Sequence, residues 1–166
     1  MSDLFSLKGK RAVVTGGSRG IGAAVSRLLA ECGADVCIGY RSRSAEAEAL
    51  VMELRAMGVR ATAFAAADLG DAAGADGLIR TCVETFGGLD ILVHSAGIWP
   101  AEDVPVHQMT DDRWRRTMRE NVDAMLSVSR AAAREMREGG RIVHIASTAG
   151  QRGEAFHSDY GASGAR

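Results

Sequence analysis

The eight residues Thr15-Gly16-Gly17-Ser18-Arg19-Gly20-Ile21-Gly22 have the composition and spacing to hold a phosphate. An apolar run, Arg11-Ala12-Val13-Val14, precedes them and reads as a buried strand; the segment Ala23 to Ala30 follows and reads as a helix. A helix that opens there aims unpaired backbone N–H groups, and the positive end of its dipole, into the space above the sheet. An anion is the natural occupant. Gly16 allows the tight turn, Gly20 lets backbone approach a pyrophosphate, and Gly22 lets helix and strand pack closely. Ser18, Arg19 and Ile21 are the turn's other candidate contacts. The competing reading is a tight strand-to-helix connection that holds nothing.

Three residues separate Gly16 from Gly20, and this wide spacing, Thr-Gly-x-x-x-Gly-Ile-Gly, resembles the short-chain dehydrogenase/reductase family. A dinucleotide site places a ribose-reading group at the end of the second strand, about 20 residues past the glycines. An acid there accepts from a 2′-hydroxyl. This chain instead has Gly39-Tyr40-Arg41, with Arg43 beyond and Arg19 inside the glycine turn. Converging guanidiniums suit a 2′-phosphate, so NADP (NADPH) is expected over NAD. The alternative makes Arg41 and Arg43 ordinary surface residues. Asp68 and Leu69 end the third strand. In the family such an Asp hydrogen-bonds the adenine amino group; a loop Asp capping the next helix is the other reading. His94-Ser95-Ala96-Gly97 closes the fourth strand where the family usually has Asn-Asn-Ala-Gly. Ser95, Ala96 and Gly97 are expected against the cofactor. His94 is expected as a packed, hydrogen-bonded side chain, since no second metal ligand lies at useful spacing.

The resemblance implies hydride transfer between the nicotinamide cofactor and a carbonyl or secondary alcohol, with the protein supplying a proton and holding the oxygen. Tyr160 lies thirteen positions after Ser147. Spacing and context resemble the family's catalytic pair, so Ser147 is expected to hydrogen-bond the substrate oxygen and Tyr160 to act as acid or base. Asn121, the chain's only Asn, matches the helix asparagine that anchors a proton-relay water. The family motif Tyr-x-x-x-Lys puts two side chains on one helix face, and the ammonium lowers the tyrosine pKa from its usual value of about 10. Gly164 occupies that Lys position. The only lysines are Lys8 and Lys10, and Arg166 is two residues too far along and cannot be deprotonated. Among family members the likeness is greatest to 3-oxoacyl-acyl-carrier-protein reductases and glucose-dehydrogenase-like enzymes. Trp99, Phe156 and His157 are the candidate substrate-lining residues.

The elements that must position these groups alternate. Strands are expected at Arg11–Val14, Asp35–Tyr40, Val59–Ala67, Leu89–His94 and Arg141–Ala146. Helices are expected at about Ser44–Met57, Asp71–Phe86 and Asp111–Arg137, the last capped by Thr110 and ended by Gly139-Gly140. The helix from Ser44 carries Ala47, Leu50, Val51 and Leu54 on one face. Strands separated by helices imply right-handed crossovers and a parallel sheet covered on both faces. The expected architecture is therefore a doubly wound (Rossmann) α/β domain over residues 1–166. Its strand order is 3-2-1-4-5, with the ligand crevice between the first and fourth strands.

Composition sets further bounds. With 166 residues, 46% of them hydrophobic, and a net charge of -1, one globular domain is expected. No basic stripe favours nucleic acid, and no apolar run reaches the ~20 residues that span a bilayer. The Arg-dense piece from Arg113 to Arg119 reads as a solvated helix face. Cys32, Cys37 and Cys82 form no metal-type cluster and are expected as reduced, buried thiols in a cytoplasmic protein; the segment Met1 to Lys10 lacks the apolar core of a signal peptide. The resemblance implies that a complete member continues through the catalytic helix and two more strands and forms a dimer or tetramer. Without them the fifth strand is an edge, and low stability or self-association is expected. A truncated enzyme and a member that no longer catalyses are both consistent with Gly164. An interaction module using the long helix and the edge strand is the remaining alternative.

Overall fold

The computed structural model describes residues 5–164. Five parallel strands form one sheet in the order β3-β2-β1-β4-β5. They are β1 (Arg11–Thr15), β2 (Asp35–Tyr40), β3 (Ala61–Ala65), β4 (Leu89–His94) and β5 (Met136–His144). The crossovers are α1 (Gly20–Glu31), α2 (Ser44–Ala56), α3 (Ala72–Phe86), and a long helix made of α4 (Asp111–Met118), a π-helical turn (Arg119–Asp123) and α5 (Ala124–Glu135). Two short helices, α6 (Ala149–Arg152) and α7 (Ser158–Ser163), complete the described chain. The expected strand order and crevice position are both present.

Alternate residues of β1, β2 and β4 enter opposite cores. Val13, Cys37 and Leu92 pack with Leu78, Ile79 and Val128 beneath α3 and α5. Val14, Ile38 and Val93 pack with Ala23, Leu50 and Leu54 beneath α1 and α2. This two-sided burial explains why the strands read as near-continuous apolar runs. Each fully buried Val, Leu or Ile side chain contributes about 1.5–3 kcal/mol. The four residues expected on the inner face of α2 are all buried.

Several boundaries differ from expectation. β3 is shorter: its paired register with β2 runs over Ala61–Ala65, with Arg60 and Ala66 each adding one backbone hydrogen bond to β2 at its ends. The long helix ends at Glu135, and Met136 is already extended (φ -71, ψ 134). Gly139-Gly140 therefore does not stop the helix. Met136 pairs with Leu89 and Arg141 with Ile91, so the residues between them bulge from the ladder, and Gly139 takes φ +80 there. A bulge of this kind re-aims the strand without ending it. Thr110 caps α4 as expected, accepting from the Arg113 N–H at 3.2 Å.

Candidate active site

The glycine turn forms the floor of a cleft of about 160 Å³ above the carboxyl ends of β1, β2, β3 and β4. Gly16 has φ +63, and a Cβ there would lie 3.1 Å from the Ala96 backbone. Gly22 is closed in differently: a Cβ would meet the Gly16 carbonyl oxygen at 2.3 Å. Gly20, at φ +55, faces open space, with nothing within 4 Å of its missing Cβ. No side chain caps α1 and its first turn carries no acid, so the leading N–H groups are free to receive an anion. This open backbone cradle, which any Cβ would narrow, fits a diphosphate.

Of the expected cofactor contacts, Gly16, Ser18, Arg19, Tyr40, Arg41, Asp68, Leu69, Ala96 and Gly97 all line this one cleft. Ser95 stands beside it, its N–H donating to Thr15 Oγ1 at 3.1 Å. Gly20, Ile21 and Gly22 are not part of the lining, and Ile21 is 60% exposed. Arg43 also lines the cleft. Arg41 pairs with Glu120 across the cleft, and Arg43 makes an exposed i, i+3 pair with Glu46.

Asp68 does not cap α3; Asp71 does, accepting from the Ala73 N–H. Asp68 instead closes its own turn, Oδ1 accepting from the Gly70 N–H at 2.7 Å. Its Oδ2 receives Arg119 Nε at 2.8 Å. Burial pushes this carboxyl up, but the Arg119 guanidinium and the Gly70 N–H outweigh it and hold it below the usual carboxylate range.

His94 is packed and hydrogen-bonded as expected, 4% exposed with Nδ1 3.0 Å from Thr15 Oγ1. Burial, with a smaller contribution from His144, lowers its pKa to about 4. Among the described residues there is no cluster able to hold a metal ion, no helix long and apolar enough to cross a membrane, and no disulfide: Cys32, Cys37 and Cys82 are free. Cys32 is only partly buried, so the expectation of buried thiols holds for Cys37 and Cys82 alone.

Asn121 lies in the π-helical turn, a distortion often found at functional sites. Its Oδ1 accepts from the Ile98 N–H at 2.8 Å, and its Nδ2 donates to the Ile98 carbonyl at 3.1 Å and to Ser163 Oγ at 2.9 Å. The side chain therefore ties the loop after β4 to α7, the helix that carries Tyr160. Tyr160 meets Trp99 edge to face, with centroids 4.6 Å apart. Ser147 Oγ accepts from the Ala149 N–H at 3.1 Å. No hydrogen bond joins Ser147 to Tyr160 among the described residues, and neither lines the glycine cleft. The Gly164 N–H donates to the Tyr160 carbonyl at 3.1 Å, which puts position 164 one turn beyond the tyrosine. Arg166 lies outside the described residues.

Of the three candidate substrate-lining residues, Trp99 lines a second cleft of about 360 Å³ with Arg113 and Arg116. His157 is buried beneath Trp99, stacked at 4.2 Å, and Phe156 is 53% exposed.

Sequence patterning missed the polar cluster under Tyr160. Arg113 is not on a solvated face: its Nε donates to Asp159 Oδ2 at 3.1 Å, and Thr117 Oγ1 donates to the same oxygen at 2.8 Å. Burial raises the Asp159 pKa, but donors from Arg113, Thr117 and the Tyr160 backbone outweigh it, so the carboxyl stays ionised below the usual range. Arg113 and Thr117 share a helix face at i, i+4, the one signal available beforehand. Arg119, also expected on the solvated face, pairs with Asp68, and Glu120 went unread, because their partners are distant in sequence.

Comparison with known proteins agrees with this geometry. An uncharacterized oxidoreductase of Methylorubrum extorquens is 41% identical over 87% of this chain and 57% of its own length. A versicolorin reductase of Emericella nidulans is 40% identical over 98% of this chain and 61% of its own. The crystal structure of a short chain dehydrogenase from Burkholderia cenocepacia in complex with NADP superposes with a TM-score of 0.89 at 45% identity, covering 95% of this chain and 64% of that one. The chain thus spans about three fifths of the length of these relatives. The short chain dehydrogenase profile matches residues 10–165, and the chain belongs to that family.

Proposed function

We propose that this chain binds NADP in preference to NAD and belongs to an oxidoreductase that interconverts a small carbonyl compound and a secondary alcohol. The observation that carries the reading is the meeting of an open Gly20 backbone with Arg19, Arg41 and Arg43 in one cleft. The N–H groups opening α1 would hold the diphosphate, and the three guanidiniums would surround the 2′-phosphate. Asp68 would read adenine, and the Ser95-Ala96-Gly97 backbone would lie along the cofactor. When bound, the nicotinamide supplies the hydride.

The protein's own part is proton delivery and orientation. Ser147 would position the substrate oxygen and Tyr160 would exchange its proton with it. Asn121 would hold α7 in place through Ser163. The cluster of Arg113, Thr117 and Asp159 supports the start of the same helix, and Trp99 packs against the Tyr160 ring. We also infer a cytoplasmic setting and a homo-oligomer for the whole protein.

Gly164 favours a second reading, nucleotide binding with little turnover, because no ammonium stands one turn from Tyr160. Titration of intrinsic fluorescence with NADPH and NADH, followed by an assay with aldehydes and ketones, separates the two. Tighter NADPH binding with turnover supports the enzyme; binding without turnover supports the second reading. Equal affinities remove the NADP preference, and binding of neither nucleotide removes both readings.

A further inference from the structure

We propose that Glu120 is a selectivity residue, a carboxylate that competes with the 2′-phosphate of NADP for Arg41. The inference rests on the nucleotide reading above and names a residue within that site. Arg41 Nη1 lies 2.7 Å from Glu120 Oε1 and 2.5 Å from Oε2, a bifurcated contact across the cleft mouth. Both residues line the cleft, with side chains 52% and 30% exposed. The preceding residue does the reverse. Arg119 reaches Asp68 with Nε at 2.8 Å and Nη2 at 2.6 Å. Two consecutive residues of the π-helical turn, of opposite charge, thus engage the ends of β2 and β3.

Charge decides the consequence. A phosphate arriving at Arg41 meets Glu120 already on the guanidinium and must displace it against like-charge repulsion. A ribose hydroxyl meets no such barrier, and Glu120 can accept its hydrogen bond, the role usually filled by an acid at the end of the second strand. Glu120 therefore weakens NADPH binding relative to NADH and narrows the preference for the phosphorylated cofactor without reversing it. The pair is partly exposed and screened by salt, so the effect is moderate.

The test is calorimetric titration of wild type, Glu120→Gln and Arg41→Gln with NADPH, NADH, 2′,5′-ADP and 5′-AMP at low and high salt. The amide keeps the side chain's shape, and Glu120→Ala serves as a second variant if Glu120→Gln melts early. NADPH and 2′,5′-ADP should bind Glu120→Gln about five- to tenfold more tightly, with NADH and 5′-AMP unchanged or weaker. Arg41→Gln should lose affinity for the 2′-phosphorylated pair alone. If Glu120→Gln binds every nucleotide as wild type does, the selectivity role is wrong while the nucleotide site stands. If wild type binds none of them, the site reading fails and this inference with it.

Discussion

Thr15 Oγ1 lies 3.0 Å from His94 Nδ1 and also accepts the N–H groups of Ser95 and Ala96. Two backbone donors fill the hydroxyl's lone pairs, so its own proton points to Nδ1. His94 is therefore the Nε2–H tautomer, and that N–H is buried without a partner. A single threonine thus joins β1 to the turn after β4, where the family's usual asparagines would otherwise work. Removing it by Thr15→Val leaves two backbone donors and a ring nitrogen unmatched, and should cost about 2–3 kcal/mol of stability in urea titration. An unchanged midpoint would show that water replaces the hydroxyl.

His94 should make the chain sensitive to mild acid. Its folded pKa, lowered to about 4 by burial and then by His144, lies below the ordinary value of 6.5. The unfolded chain takes a proton first. The stability His94 contributes is complete above pH ~6.5 and is lost as pH falls toward 4, by about 3 kcal/mol at roughly 1.4 kcal/mol per pH unit. Urea midpoints for wild type and His94→Asn at pH 7.5 and pH 4.5 isolate this from the carboxylates, which both proteins share. An identical pH dependence in the two would refute it.

The glycines of the turn should separate fold from ligand. Gly22→Ala drives a Cβ to 2.3 Å from the Gly16 carbonyl oxygen, backbone against backbone. It should cost about 2–4 kcal/mol and abolish nucleotide binding. Gly20→Ala meets nothing within 4 Å but keeps φ +55, a conformation costing about 1 kcal/mol for an L residue. Its melting point should move little while NADPH affinity falls at least about tenfold. Melting curves and titrations on both variants check the pair; a Gly20→Ala that binds NADPH normally places the diphosphate elsewhere.

The central strands were legible because their apolar runs are buried on both faces, as Val13 and Val14 show by entering opposite cores. Asn121 could be picked out by its match to a motif, although neither its ties to Ile98 and Ser163 nor the π-helical turn that carries it could be read beforehand. A π turn leaves no mark in a pattern of period 3.6. Gly139-Gly140 misled because a bulge and a helix stop use the same residue type. Glu120, Arg113 and Asp159 were illegible for another reason. Their partners lie far along the chain, and only the folded sheet brings β2 or α7 to the long helix.

Gly164 should limit turnover more than binding. A Cβ at this position would meet Gly150 at 3.6 Å, an ordinary contact, so Gly164→Lys is accommodated. The new ammonium would stand one turn beyond Tyr160. Proton transfer by a well-tuned group is worth 10²–10⁴-fold. Carbonyl-dependent NADPH oxidation should therefore rise by roughly 10²-fold, with NADPH affinity within about threefold of wild type. No gain in rate despite normal binding would place the deficiency outside position 164.

β5 should govern the solution behaviour of this 166-residue chain. One edge pairs with β4, and among the described residues no strand pairs with the other. Its apolar residues are only half covered: Ile142 is 37% and Val143 45% exposed, and Ile145, just beyond the strand, 40%. Unpaired backbone flanked by apolar side chains is a template for a second chain, and an edge lysine blunts it. Apparent mass by light scattering should rise with concentration for wild type and stay lower for Val143→Lys. The lysine ammonium can reach solvent from a site already half exposed, so the fold should survive, which a melting curve verifies. A wild-type chain that remains a monodisperse monomer with a cooperative melt would mean that this edge is covered in a way the exposures do not express.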